Sequence, residues 1–95
     1  MGKMAFTYIM ANKRNGTLYV GVTSDLVSRI AQHKNKEYRG FTHRYDVDRL
    51  VWFVAGESME GAIILEKKIK NRRRQAKIAL IERLNPEWRD LSEDF

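Results

Sequence analysis

The chain has 95 residues, a formal net charge of +6 and no cysteine. A chain this short supports one domain with a modest core, and it excludes disulfides and thiolate metal sites. It has no run of about 18 apolar residues to span a membrane, and Met1 to Phe6 lacks the apolar core of a signal peptide, so the cytoplasm is the expected compartment.

Phe6 to Ala11 and Thr17 to Val22 read as two strands. Asn12-Lys13-Arg14-Asn15-Gly16 joins them, and Asn-Gly is a strong hairpin signal. Centring the turn on Asn15-Gly16 sets Tyr8 opposite Thr23, Met10 opposite Gly21 and Asn12 opposite Tyr19. Alternation then puts Phe6, Tyr8, Met10, Asn12, Tyr19, Gly21 and Thr23 on one mixed face, which could line a cleft. Thr7, Ile9, Ala11, Leu18, Val20 and Val22 form an apolar face turned to the core. In this register Tyr8 and Tyr19 lie roughly 13 Å apart along the strands. A bulge or inward-leaning side chains would shorten that gap.

Thr23 or Ser24 can cap the next element, a helix with Leu26, Val27, Ile30 and Ala31 on its apolar side. It is expected to end near Lys34 to Lys36. Arg29 and His33 stand one turn apart on it. Glu37 to Asp48 is polar and reads as a loop. Leu50 to Ala55 is an unbroken apolar run, which suits a strand covered on both faces. Ser58 then caps a long helical stretch in which Leu65, Ile69, Ala76, Leu80 and Leu84 recur at helical spacing. A break near Asn71 to Arg74 divides it into two helices, and Asn85-Pro86 ends the second. Trp88 and Leu91 are expected to pack back on the body. The fold class is α+β, a three-stranded antiparallel sheet flanked by helices, in one domain over residues 1–95.

Charge is unevenly spread. Lys67, Lys68, Lys70, Arg72, Arg73, Arg74 and Lys77 form a run with no intervening acid. Such a block favours polyanions through counterion release, although a solvated helix face would look the same. Glu87, Asp90, Glu93 and Asp94 make the C-terminal end acidic.

Taken together these residues resemble the GIY-YIG nuclease family, close to its small single-domain bacterial group. Tyr8 matches the tyrosine ending the first motif, and Tyr19-Val20-Gly21 matches the second. Arg29, His33, Glu66 and Asn85 match, in order, the helix arginine, a helix histidine, the metal-binding glutamate and a late asparagine. Phe6-Thr7 replaces the Gly-Ile of the first motif, and Val20 replaces isoleucine. Neither change removes a polar group.

The resemblance implies metal-dependent endonucleolytic hydrolysis of a phosphodiester, more in keeping with DNA than RNA, with low sequence specificity and a place in DNA repair or processing. Tyr8, Tyr19, Arg29, His33 and Glu66 are the implied catalytic set. A lone carboxylate suits one Mg²⁺ or Mn²⁺ ion, since Mg²⁺ keeps most of its waters; Glu66 would hold it, unless it merely pairs with Lys70 four residues on. Arg29 would bind the scissile phosphate, and His33 would orient or deprotonate the water, or help bind phosphate. A phenol has a pKa near 10 and needs nearby positive charge to act as a base; Tyr8 is assigned that role and Tyr19 the orienting one. Gly21 and Asn85 support the site, although Asn85 also suits a plain helix cap. Arg39, Thr42, His43 and Arg44, with Lys67, Lys70, Arg73, Arg74 and Lys77, suit backbone phosphates. All of this requires Tyr8, Tyr19, Arg29 and Glu66 to converge. A non-catalytic nucleic-acid binder would use the same cations, and an acidic protein partner would need only the charge block.

Overall fold

Both faces of the hairpin are covered, with helices on both sides of the sheet. The computed structural model describes residues 4–37 and 44–95. Ala5–Ala11 (β1) and Leu18–Thr23 (β2) form the hairpin. Leu26–Lys34 (α1), Arg49–Gly56 (β3), Met59–Lys70 (α2) and Arg74–Leu84 (α3) follow, and Leu91–Asp94 closes with a 3₁₀ turn. The strands are antiparallel in the order β2-β1-β3. The architecture is the expected α+β one. Among the described residues no helix is long and apolar enough to cross a membrane.

The hairpin register differs from expectation by two residues. Tyr8 pairs with Gly21 and Met10 with Tyr19. The cause is the turn. Gly16 N donates to Lys13 O at 3.0 Å, which centres the turn on Arg14-Asn15. Asn15 takes φ 57°, a left-handed conformation asparagine tolerates. Asn12 N still donates to Thr17 O at 3.3 Å, while Thr17 N turns to the Asn12 side chain, whose Oδ1 accepts at 3.0 Å. A two-residue slip preserves alternation, so both face assignments survive. Tyr8 and Tyr19 become diagonal neighbours.

On one face Ile9, Ala11 and Val20 pack with Ile69 of α2 and Ile81 of α3. Full burial of each large aliphatic side chain there contributes roughly 1.5–3 kcal/mol. Thr7 Oγ1 donates to Ala62 O at 3.0 Å and fastens α2 to this face. On the other, Tyr8 and Met10 pack with Leu26 and Ile30 of α1, Val47 and Leu50. The mixed face is thus largely a second core rather than a cleft. A bulge after Ile9 opposes Trp52 to Ile9 and Leu50 to Met10, leaving Val51 as the extra residue. Cover on both faces of β3 holds for Leu50 to Trp52. Val54 and Ala55 emerge to solvent.

Two details of the first helix are corrected. Its N-cap is Asp25, whose Oδ1 accepts from Ser28 N, while Thr23 Oγ1 accepts from Asp25 N one step earlier. Its inward stripe is Leu26, Ile30 and His33; Val27 and Ala31 are exposed. Ser58 caps α2 as expected, and the chain breaks between Lys70 and Arg74.

Asn85 ends α3 and staples the tail. Its Nδ2 donates to Val51 O and Arg89 O, and its Oδ1 accepts from Arg89 N. Trp88 is fully buried at φ 58°, with its indole N–H donating to Glu82 Oε2 at 2.7 Å. Left-handed backbone costs a bulky residue about 1–2 kcal/mol, and burial of the indole offsets it. Asn85→Ala would orphan several backbone groups, so we expect urea denaturation to show a loss of about 2–4 kcal/mol.

Candidate active site

The sheet and α1 bring three of the expected residues together. Tyr8 Oη and His33 Nε2 share a hydrogen bond of 3.1 Å. The Tyr8 and Tyr19 rings are 6.3 Å apart between centroids, and those of Tyr19 and His33 are 5.5 Å apart. The observed register makes this possible, because it brings the two tyrosines within one diagonal of each other. Gly21 completes the arrangement. A Cβ there would lie 2.6 Å from Tyr8 Oη and 3.0 Å from Tyr19 Cε2. Glycine opposite Tyr8 is what lets the phenol lie across the strand.

Burial separates the members of this cluster. Tyr8 is 0% exposed and His33 is 4% exposed, whereas Tyr19 and Arg29 are half-buried. Burial, helped by the Arg29 guanidinium, lowers the His33 pKa to about 4. The ring is therefore neutral at pH 7, with one nitrogen carrying a proton and the other a lone pair. Between pH 6.5 and 4 the unfolded chain binds the His33 proton more readily than the folded one. The contribution of His33 is therefore fully present above pH 6.5 and lost as pH falls toward 4. We expect His33→Gln to flatten the acid limb of the stability–pH curve by about 1–3 kcal/mol, read by urea denaturation from pH 7 to pH 4.

Glu66 lies on α2, whose buried residues pack on the opposite face of the sheet from α1. Its carboxylate is 17% exposed and pairs with Lys70 Nζ at 3.1 Å. Lys70 in turn lines an open groove of about 340 Å³ at the β2 edge, together with Leu18, Tyr19, Val20 and Lys77. The groove takes Tyr19 from the α1 face of the hairpin and Leu18, Val20, Lys70 and Lys77 from the side covered by α2 and α3. Glu66 is joined to that groove through Lys70 and does not itself line it.

Among the described residues no group of three or more His, Asp or Glu side chains converges to cage a metal. A cation wholly ligated by such side chains does not fit there. One carboxylate does fit Mg²⁺, which retains water and takes substrate phosphate as a ligand.

The expected phosphate-binding residues divide. Lys67 and Arg73 are exposed, and Lys70 and Lys77 share the groove. Arg74 Nη2 donates to the carbonyls of Asn15 and Gly16 and so holds the hairpin turn. Arg44 is exposed, its guanidinium over the Tyr45 ring. Arg39, Thr42 and His43 lie outside the described residues. Asn85 bonds to β3 and the tail, on the side of the sheet's order away from β2.

Comparison with known proteins agrees with this fold. The solution NMR structure of the UPF0213 protein BH0048 from Bacillus halodurans is similar to this chain, with 26% identity, 92% of each chain covered and a TM-score of 0.57. No curated protein matches significantly. The family model described as the GIY-YIG catalytic domain matches residues 4–79, from the first strand to the middle of α3. With that match spanning the hairpin, α1 and the Glu66 helix, the chain belongs to the GIY-YIG family of nucleases.

Proposed function

We propose that this protein is a metal-dependent endonuclease acting on DNA with little sequence preference, in a repair or processing role. The observation that carries the reading is the packed cluster of Tyr8, Tyr19 and His33 beside a cationic groove.

In-line hydrolysis needs a base for the water, a cation for the non-bridging oxygens and charge neutralisation at the leaving oxygen. Their different burial supports the reverse of the roles given to the two phenols above. Tyr8 has no surface from which to reach a solvent water, so it positions His33 through their hydrogen bond. Tyr19, half-buried and lining the groove, takes the base role, with His33 as its ring neighbour. Arg29 presents a fork of donors to the scissile phosphate. Glu66 would hold one Mg²⁺ or Mn²⁺ ion, which supplies Lewis-acid polarisation of phosphate oxygens when bound.

The Glu66–Lys70 ion pair favours a second reading, in which nucleic acid is bound and not cut. An assay over duplex, branched and single-stranded DNA and RNA separates the two. The nuclease reading expects nicking with Mg²⁺ or Mn²⁺ that stops on adding EDTA. Salt-sensitive binding with no cleavage under either ion would establish the binder instead.

A further inference from the structure

The first acid in the sequence is Asp25. The whole hairpin is therefore free of carboxylates, and its turn carries Lys13 and Arg14, both exposed. That turn does not hang free. Arg74, at the start of α3, donates from one nitrogen to the carbonyls of both Asn15 and Gly16. The bond joins the tip of the hairpin to the most basic stretch of the chain across more than fifty residues of sequence. Lys70 and Lys77, on either side of that junction, line the groove along β2 with Tyr19. The acid nearest in sequence, Glu66, is neutralised by Lys70.

From this arrangement we infer that the hairpin turn is a phosphate-contacting element. The nucleic-acid strand flanking the scissile bond runs from the groove at Tyr19, along the β2 edge, onto Lys13 and Arg14. Arg74 is the residue that holds the turn in line with the helix junction. The inference rests on the proposed nucleic-acid substrate and extends it with a direction and a length. Gly16 to Tyr19 spans roughly 10 Å of strand. A duplex rises about 3.4 Å per base pair along its axis, so a duplex lying with its axis along the rail presents about three base-pair steps to one side of the cut. Exposed lysine and arginine at a turn are also ordinary solvating residues. What distinguishes these is that Arg74, through the Asn15 and Gly16 carbonyls, fixes their turn next to other cations, which mutual repulsion opposes and a polyanion rewards.

The test is binding of a fluorescent DNA duplex in EDTA, by anisotropy across a salt series. Lys13→Gln/Arg14→Gln changes only exposed turn side chains, and unchanged melting would show the fold intact. We expect its salt slope to fall by about one to two, as for loss of one or two phosphate contacts, and its affinity to fall tenfold or more at low salt. Arg89→Gln, a charge change on the tail beside β3, is expected to leave the slope unchanged. A Lys13/Arg14 variant that binds with the parent's affinity and slope overturns the rail while leaving the nuclease reading intact. A variant with the expected loss, in a parent that cuts nothing with Mg²⁺ or Mn²⁺, supports the rail and removes the nuclease reading.

Discussion

Glu66→Gln is expected to lower DNA cleavage by about a thousandfold or more while leaving the melting curve close to that of the parent. Loss of one positioned electrostatic stabiliser commonly costs 10²–10³ in rate, and Glu66 is also the carboxylate assigned to the metal. The fold should tolerate the change. The Glu66 side chain is 17% exposed, and its partner Lys70 is about half exposed. Such an i, i+4 pair contributes only about 0.3–0.5 kcal/mol. Gln keeps the side-chain volume and removes the charge. Single-turnover rates at saturating Mg²⁺, taken with circular dichroism melts, separate the two effects. A parent-like rate in Glu66→Gln would remove the carboxylate from the mechanism.

Gly21→Ala should be damaging in a different way, by disturbing both stability and rate. The added methyl would press on Tyr8 Oη at 2.6 Å, on Tyr8 Cζ at 2.7 Å and on Tyr19 Cε2 at 3.0 Å. Tyr8 has little room to move, because it is buried among Met10, Leu26, Ile30 and their neighbours. Overpacking of this kind costs about 1–3 kcal/mol. The relief available is for the phenol to move off His33, which breaks the 3.1 Å hydrogen bond. Misplacement by about 1 Å can cost 10²-fold in rate, so cleavage should fall at least that far even where the variant is fully folded. Urea denaturation gives the first number and single-turnover cleavage at low temperature gives the second. A variant as stable and as active as the parent would show that Tyr8 need not lie across Gly21.

Much of this was legible in the sequence because local chemistry and tertiary demand agree. Strand alternation, the Ser58 cap, the break at Asn71 to Arg74 and the Asn85-Pro86 stop all act within a few residues. The hairpin register was not, because it turns on one choice. The Asn-Gly signal favours a turn at Asn15-Gly16, but Asn12 can close the loop with its side chain and Arg74 can hold it from far away. No local rule sees a bond to residue 74. The face of α1 was misread at Val27 and Ala31 for a related reason. Hydrophobicity favours them, but the inward third position goes to His33, whose ring is satisfied by Tyr8. The placement of Glu66 was also hidden. Helical spacing gives its face on α2, but only the packing of Ala62 and Ile69 shows which side of the sheet α2 covers.

The phenols and the carboxylate belong to elements on two sides of a sheet, and the account has them act together around its β2 edge. Amide NMR with trace Mn²⁺ probes this directly, since the paramagnetic ion broadens only nearby resonances. The account predicts broadening of Tyr19 and Val20 together with Glu66 and Lys70, abolished in Glu66→Gln. Broadening confined to α2, or centred on the acidic tail at Asp90 and Asp94, would contradict it.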